Sequence, residues 1–174
     1  MKTYLEIQVP LRYNASWFQE LRFACQNIDV RWQMAYHHIT MAFVDETPDG
    51  VDLRSLLEKH LKTFPAPTLT FDKLDVFTAM SGMHIINLTV TDVPQSFLSL
   101  IENIRSDMNA AGCVMDSCFR LHVTLGRVKD PHIQLSAIQE LTESVSLPAF
   151  SLTLEDVDYR VFRGKTIYEI KLKV

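Results

Sequence analysis

Residues 121–127 read LHVTLGR and residues 37–43 read HHITMAF, two stretches in which a His and a Thr stand two positions apart within an apolar run. The segments 38–41 and 122–125 match type for type, as His, a β-branched residue, Thr and a long apolar residue, at an offset of 84 residues (122 − 38). Because alternate side chains of a strand share a face, each strand presents its His and its Thr together. The doubled pattern predicts two equivalent strands around which the fold is built.

The same offset relates other parts of the chain. The further matches are Val9-Pro10 with Val93-Pro94, the trio Ile86, Leu88 and Val90 with Ile170, Leu172 and Val174, and His84 with Tyr168. A shared offset at both ends and in the middle indicates an internal duplication, with pseudo-repeats at about 1–80 and 83–174.

Hydrophobic periodicity predicts a similar series of elements in each repeat. Strands are predicted at 2–9, 36–44, 68–78, 83–91, 119–128, 149–162 and 166–173. Amphipathic helices are predicted to begin near Ser16, Leu53 and Pro94, and a fourth to cover 134–144. No linker interrupts the chain, so we expect one α+β domain over 1–174. Its two similar lobes would be related by a pseudo-two-fold axis, with antiparallel sheets lining a central cleft and helices outside.

Composition limits the range of partners. The formal net charge of −4 does not favour binding along a nucleic-acid backbone, so any contact with RNA should involve a terminal group. No apolar stretch reaches membrane-spanning length. At least one of the three Cys is unpaired within the chain, which suits a reducing compartment, and we expect a cytoplasmic monomer. The spacing of Cys113, Cys118 and His122 matches no strong zinc pattern, so no metal site is predicted.

Two His and two Thr that converge on a cleft indicate acid–base chemistry. Histidine exchanges protons near neutral pH, and two of them on opposite sides of a phosphorus atom can serve as general acid and general base. Thr40 and Thr124 could hydrogen-bond the oxygens of an anion. His38 is preferred over His37 because only His38 is in phase with Thr40.

Arg127 could add a positive charge for a phosphate. Strict alternation places it on the other face of the strand, so a twist or bulge is needed to bring it round, and a solvated surface Arg is an equal alternative. A half-exposed polar strand copied by duplication would also explain both H-x-T pairs. The apolar residues on either side of the second pair favour a functional site.

The stretches RWQMAYHHITMAF (31–43), FRLHVTLGR (119–127) and GKTIYEIKL (164–172) resemble the 2H phosphoesterase superfamily. The closer resemblance is to the LigT-like RNA 2′,3′-cyclic phosphodiesterases, also called 2′-5′ RNA ligases. Val44-Asp45 and Leu121 depart from the Leu-Gly and Pro that this family often has at those positions. These departures concern the cleft rim and the substrate more than the reaction class.

The resemblance implies a metal-independent and cofactor-independent phosphodiesterase. It would open a 2′,3′-cyclic phosphate, on an RNA 3′ end or a small cyclic nucleotide, to a 2′-phosphate. His38 would protonate the leaving oxygen and His122 would activate water, or the two roles would be exchanged. Thr40, Thr124 and Arg127 would hold the phosphate. His84 and Tyr168, at matching positions, would either border the cleft or pack within the fold, two alternatives of equal weight. The alternative is a module on the same fold that binds a nucleotide or RNA end with little or no turnover.

Overall fold

The computed structural model describes all 174 residues, with four helices and eleven strands. The helices are α1 (Ser16–Ala24), α2 (Leu53–Leu61), α3 (Gln95–Ala110) and α4 (Leu135–Glu143). The strands are β1 (Thr3–Val9), β2 (Val30–Trp32), β3 (His37–Glu46), β4 (Thr68–Phe71), β5 (Lys73–Thr78), β6 (His84–Thr89), β7 (Val114–Met115), β8 (Val123–Val128), β9 (Phe150–Thr153), β10 (Asp156–Val161) and β11 (Thr166–Lys171). No helix is both long enough and apolar enough to cross a membrane. The α+β class predicted from the sequence is confirmed.

One antiparallel sheet of nine strands forms the centre of the molecule. Seven strands run in the order β11-β10-β1-β3-β8-β6-β5, while β2 pairs with β8 and β7 with β3. The two halves, β11-β10-β1-β3 and β8-β6-β5, meet through one residue pair, Ile39 opposite Val123. The two lobes therefore share a single sheet with a narrow junction. Strands β4 and β9 form a separate two-stranded sheet.

The halves of the sheet do not coincide with the halves of the sequence. β10 and β11 extend the half that holds β1 and β3, and β5 completes the half that holds β6 and β8. Ile39 and Val123 are the middle residues of the two H-x-T motifs. Ile7 of β1 lies opposite Ile39, and Leu88 of β6 lies opposite Val123. β1 therefore corresponds to β6, at an offset of 81 residues (88 − 7). β11 is then left without a counterpart. The sequence match of His84 with Tyr168 does not relate equivalent positions.

The helices bury apolar stripes against one face of the sheet. α2 buries Leu53, Leu57 and Leu61, one residue per turn, while α3 buries a longer stripe with a spacing of three and four. Alternate residues of each strand point to the helix-covered face of the sheet, and their apolar side chains form the core with the helices. The buried residues from β1, β3, β6, β8 and β10 include Leu5, Ile7, Ile39, Leu88, Val123 and Val157. The opposite face is left to polar residues.

Two strands that were predicted as continuous are broken in the structure. The segment 68–78 divides into β4 and β5, and 149–162 divides into β9 and β10. At the first break the Asp72 carboxylate accepts a hydrogen bond from the Thr91 amide (2.9 Å), which holds the chain in a turn. The breaks allow β4 and β9 to leave the main sheet and pair with each other. The predicted strand 119–128 is shorter and begins at Val123.

Candidate active site

The two H-x-T motifs lie side by side at the junction of the two half-sheets. Ile39 of β3 pairs with Val123 of β8 in antiparallel register. Continuing that register sets His38 opposite Thr124 and Thr40 opposite His122. The strands pair at this one position, so the four side chains are brought to the same junction, on the face away from the helices. We call this surface the cleft face.

A β-bulge follows the Thr of each motif. Thr40 pairs with Glu6 and Ala42 with Leu5, which leaves Met41 as an extra residue in β3. Likewise Thr124 pairs with Asn87 and Gly126 with Ile86, which leaves Leu125 as an extra residue in β8. The two bulged residues are related by the 84-residue offset (125 − 41). Each bulge reverses the alternation of the strand after the Thr.

The bulge in β8 brings Arg127 onto the cleft face. Arg127 lies opposite Ile85, which has the same orientation as Asn87, the partner of Thr124. Its guanidinium donates a hydrogen bond from Nη1 to the side-chain oxygen of Gln33 (3.1 Å). Its positive charge lowers the pKa values of His38 and His122, after the larger effect of burial. The sequence required a bulge for Arg127 to reach the site, and the structure contains one.

Both His rings are anchored in the same way. The Nδ1–H of His38 donates to the carbonyl of Tyr36 (3.3 Å), and the Nδ1–H of His122 donates to the carbonyl of Arg120 (2.9 Å). In each case the acceptor lies two residues earlier in the chain. Because a carbonyl can only accept, Nδ1 carries the proton in the neutral ring and Nε2 is the basic nitrogen. His37 instead lies in the core, 3% exposed, with its Nε2–H on the Gln33 carbonyl (2.7 Å).

His122 has an apolar and cationic environment. Its ring meets the Phe77 ring edge to face, with centroids 5.1 Å apart, and the Arg120 guanidinium lies over the same Phe77 ring at 3.9 Å. Burial lowers the pKa of His122, and the charges of Arg120 and Arg127 lower it further. A neutral imidazole with a free Nε2 is the form that can accept a proton near pH 7.

His38 has an acidic environment. Its Nε2 lies 3.1 Å from Oε1 of Glu6, which is 3% exposed. Asp158, 1% exposed, faces Glu6 from β10 and accepts hydrogen bonds from Tyr36 Oη (2.6 Å) and Gln8 Nε2 (2.7 Å). Burial raises the pKa of Glu6 to about 7, and the charge of Asp158 adds to the effect. Burial also lowers the pKa of His38.

Tyr36 and Arg160 complete the surroundings of His38. Tyr36 has a left-handed backbone conformation (φ 53°), and its carbonyl accepts from Gln33 Nε2 (2.7 Å) as well as from His38. The Arg160 guanidinium lies 4.2 Å from the Tyr36 ring centroid and 4.0 Å from Oε2 of Glu6. Strained backbone of this kind is held in place by surrounding contacts and concentrates at functional sites.

The polar layer breaks the symmetry of the duplication. The residue of β6 that corresponds to Glu6 is Asn87, which lies opposite Thr124 and is 2% exposed. Its amide donates to the Asp75 carbonyl (3.0 Å). The structure gives Nε2 of His38 a carboxyl group as neighbour, and the corresponding position beside His122 is a neutral amide.

His84 and Tyr168 lie on the helix-covered side of the sheet, so of the two alternatives, cleft lining and packing, the structure shows packing. His84 lies three residues before Asn87 in β6, so the two side chains point to opposite faces of the sheet. The His84 ring is hydrogen-bonded to Thr78 Oγ1 (2.9 Å) and to the Ile133 carbonyl near α4 (3.2 Å). Tyr168 stacks on Tyr159 at 5.0 Å and lies under Arg54 of α2. Both residues were selected through an offset that does not relate equivalent strands.

Sequence reasoning did not identify the buried acidic residues. Tyr4, Glu6 and Gln8 alternate with apolar residues in β1, a pattern that is also typical of a strand with one solvent-facing side. Asp158 likewise stands between apolar residues in β10, on the same face of the sheet as Glu6. The motif pattern itself held a partial signal, because a strand adjacent to the H-x-T strand must line the same face. Which strand is adjacent could not be read from the sequence.

Elsewhere in the molecule, a candidate site would be a metal-binding cluster or a cavity. No group of three or more His, Cys, Asp or Glu side chains could hold a metal ion. A cavity of about 710 Å³ lies between α3 and the segment 115–119. None of the four H-x-T residues lines it, and of its three charged groups Arg105 and Asp116 are paired with each other at 2.9 Å, beside Glu102.

Comparisons with known proteins identify the family and the fold. A family model described as the 2′-5′ RNA ligase superfamily matches residues 10–166. No curated protein matches the chain.

Several solved structures share the fold. LigT of E. coli in complex with 3′-AMP has a TM-score of 0.60 and 20% identity, over 99% of this chain and 95% of that one. TT0787 of Thermus thermophilus has a TM-score of 0.70 and 15% identity, over 99% and 98%. Usb1 of Kluyveromyces marxianus has a TM-score of 0.65 and 8% identity, over 98% of each chain. At these identities the similarity demonstrates the fold.

Proposed function

The chain belongs to the 2′-5′ RNA ligase superfamily, a group of 2H phosphoesterases, and on this premise we propose that it hydrolyses 2′,3′-cyclic phosphates. The substrate is an RNA 3′ end or a small cyclic nucleotide, and the product carries a 2′-phosphate. No metal ion takes part in the proposed reaction. The observation that carries the proposal is the paired arrangement of two His and two Thr, with each His anchored through Nδ1.

The paired arrangement supports an in-line displacement at phosphorus. His122 takes a proton from water at Nε2, the water oxygen bonds to phosphorus, and the P–O3′ bond breaks on the opposite side. His38 supplies the proton that the 3′-oxygen needs to leave. An acid and a base at opposite ends of one displacement contribute about 10²–10⁴-fold each to the rate.

Thr40, Thr124 and Arg127 are proposed to bind the phosphate. Each Thr shares a strand face with its His on either side of the Ile39–Val123 pair, so the hydroxyls can donate to the non-bridging oxygens of a phosphate held between the rings. Arg127 reaches the same face and can neutralise the charge that builds up on those oxygens. The net charge of −4 makes this local positive charge more important for an anionic ligand.

A nucleotide is the proposed ligand class. LigT, which shares the fold, has been crystallised with 3′-AMP, with ATP and with phosphate. We extend that ligand class to the present chain because the cleft face offers aromatic as well as polar groups, among them Tyr36 and Phe77 beside the two His. Aromatic rings can stack on a base without selecting its identity.

The first prediction tests the reaction. Purified protein should convert nucleoside 2′,3′-cyclic monophosphates to 2′-monophosphates at an undiminished rate in excess EDTA. His38→Ala and His122→Ala should each lower kcat by about 10²–10⁴-fold, because each removes one proton-transfer group. Product identity is measured by ³¹P NMR, and folding of the variants by circular dichroism. His132→Ala, an exposed residue outside the cleft face, is the matched control. Full activity in either variant would rule out the two-His reaction.

A second candidate function is nucleotide binding without turnover. The observation in its favour is the Glu6–His38 contact, which occupies the one nitrogen of His38 that Nδ1 anchoring leaves free. It predicts that a mononucleotide binds, by calorimetry, while long incubation of 2′,3′-cyclic substrates yields no product. Any turnover that depends on both His excludes this candidate.

A further inference from the structure

The contact between Glu6 and His38 joins a buried carboxyl group to the nitrogen that the reaction needs. Oε1 of Glu6 lies 3.1 Å from Nε2 of His38, a hydrogen-bond distance, with the His38 side chain 20% exposed and that of Glu6 4% exposed. Two bare acceptors would not approach so closely, because a lone pair would face a lone pair. The contact therefore contains a proton, held on the carboxyl oxygen or on the imidazole nitrogen.

The burial and charges around the pair favour the presence of one proton. Glu6 faces Asp158 and Arg160 from β10, Tyr36 from the segment before β3, and His38 from β3. His38 also faces His122 and Arg127 from β8. Asp158 and Arg160 carry opposite charges, and Arg127 acts from the His38 side, so an ionised Glu6 beside a neutral His38 would have no cation closer than the Arg160 guanidinium, 4.0 Å away. One added proton removes that charge, whichever of the two groups holds it.

The second lobe provides a comparison within the molecule. Asn87 occupies the position of Glu6, and Asp75 occupies that of Asp158, since Asp158 pairs with Glu6 as Asp75 pairs with Asn87. An amide can neither hold nor release a proton at neutral pH. The duplication therefore retained two similar His and placed an ionisable group beside only one of them.

We propose that Glu6 is a positioning residue for His38: the two groups share a single proton, and this shared proton is the one that His38 delivers to the leaving oxygen. The inference rests on the proposed function and deepens it. It explains how a ring whose burial favours the neutral form can still act as an acid near neutral pH. His122, with no carboxyl group at the corresponding position, remains free to act as the base.

The proton balance of the step closes. The proton moves from Oε1 of Glu6 to Nε2 of His38. Because Nε2 carries a single N–H, the 3′-oxygen then replaces Oε1 as its partner and takes the proton as the P–O3′ bond breaks. Glu6 remains as a carboxylate, which the Arg160 guanidinium, 4.0 Å from its Oε2, stabilises. The water molecule that attacks phosphorus has meanwhile given its proton to His122. After product release His122 loses this proton to solvent and Glu6 takes one up, so the enzyme returns to its starting state.

The second prediction is a shift in the pH profile of kcat. In the unmodified protein the alkaline limb should fall near pH 7, because the pair loses its proton when Glu6, whose pKa burial raises to about 7, ionises. In Glu6→Gln the acid is His38 alone, and burial lowers its pKa. The limb should then move to lower pH by about two units or more, and kcat at pH 7.5 should fall about 100-fold, with recovery toward pH 5. Glu20→Gln, the same exchange on the exposed side of α1, should leave the profile unchanged.

Two neighbouring variants should shift the limb in opposite directions. Asp158→Asn removes a negative charge that raises the pKa of Glu6, so its limb moves to lower pH. Arg160→Gln removes a positive charge that lowers the same pKa, so its limb moves to higher pH. A Glu6→Gln profile that is scaled down equally at every pH, or both neighbouring variants shifting the same way, would overturn the proposal.

A titration without substrate separates this inference from the proposed function. With ¹⁵N-labelled histidine, the Nε2 resonance of His38 should show a step near pH 7 that is absent in Glu6→Gln and retained in Glu20→Gln. An identical His38 titration in Glu6→Gln and the unmodified protein would overturn the shared proton. If no variant turns over any cyclic phosphate, the proposed function fails, and the titration still decides whether the proton is shared.

Discussion

At the scale of single residues, each lobe has a cation–π pair beside its His, but the ring and the cation come from opposite positions in the two lobes. Beside His38 the aromatic ring is Tyr36 and the cation is Arg160, with the guanidinium 4.2 Å from the ring centroid. Beside His122 the residue that corresponds to Tyr36 is the cation Arg120, and the ring is Phe77, at 3.9 Å. Each His therefore packs against an aromatic ring that a guanidinium covers. The interaction is conserved between the lobes while the residues that form it are swapped.

Arg127 is another point at which the lobes differ. The position that corresponds to it in β3 is Phe43, which follows the equivalent bulge and packs on Tyr4 with ring centroids 4.9 Å apart. One lobe therefore offers the cleft face a positive charge and the other an aromatic ring. A phosphate bound between the two His would have its positive neighbour on the β8 side.

The third prediction concerns this charge. Arg127→Met should raise KM for a 2′,3′-cyclic nucleotide about tenfold or more, since a charge-assisted hydrogen bond contributes about 1.5–3 kcal/mol. Steady-state kinetics at low and high salt measures the effect, which should shrink as salt screens the charge. Arg12→Met, an exposed residue between β1 and α1, is the control. An unchanged KM would show that Arg127 does not contact the phosphate.

At the scale of elements, the bulges decide which side chains reach the site. Without the extra residue in β8, Arg127 would point toward the helices, as strict alternation indicates. The Leu125 carbonyl within the bulge accepts a hydrogen bond from the Gln33 amide (2.8 Å), and the Gln33 side chain in turn accepts one from Arg127. The bulge thus positions Arg127 both through the strand and through the segment that follows β2.

Gly126 allows β2 to lie close to the bulge. A Cβ atom at this position would lie 2.6 Å from Cγ1 of Val30 and 2.8 Å from Cε3 of Trp32, closer than real Cβ contacts. Both neighbours belong to β2, which pairs with β8 through Arg31 opposite Arg127 and Trp32 opposite Gly126. Gly126 is required because there is no space for a Cβ atom. Its backbone conformation is not the reason, since other residues also adopt it.

The fourth prediction follows from that close packing. Gly126→Ala should lower the free energy of unfolding by about 1–3 kcal/mol, because overpacking forces β2 away from β8, and it should lower activity by displacing Arg127. Urea denaturation measures the first effect. Adding Val30→Ala removes one of the two clashing groups, so the double variant should regain part of the loss. Equal unfolding midpoints for Gly126→Ala and the unmodified protein would contradict the packing argument.

At the scale of the whole molecule, the repeats are interleaved. The first repeat contributes β1 and β3 to one half of the sheet and β5 to the other, and the second repeat contributes β10 and β11 across the same boundary. β1 is covered on one side by β3 and on the other by β10. Neither repeat alone can satisfy the backbone groups of its central strands.

The fifth prediction tests this interleaving. Residues 1–82 and 83–174, expressed separately, should each lack a cooperative unfolding transition, because the division removes β10 from β1 and β6 from β5. Circular dichroism and amide exchange would measure the loss. An equimolar mixture should regain structure if the strands re-pair. A cooperative transition in either half alone would show that the repeats are independent folding units.

The sequence by itself determined the α+β class and the spacing of each His with its Thr, and it predicted the duplication. These depend on periodicity, which acts between near neighbours in the chain and is visible in one dimension. The catalytic roles of His38 and His122 stay predictions, for which the anchored rings supply geometric support.

Only the tertiary structure decided the surroundings of each His. The approach of Glu6 and Asp158 to His38 depends on β1 lying between β3 and β10, a pairing across about 150 residues of chain (158 − 6 = 152). The placement of Arg127 depends on a bulge, and the exclusion of His84 and Tyr168 depends on strand register. Register and strand order are set by packing between distant segments, and a one-residue shift moves a side chain to the other face. Periodicity could therefore place the two His, but not the carboxyl group beside only one of them.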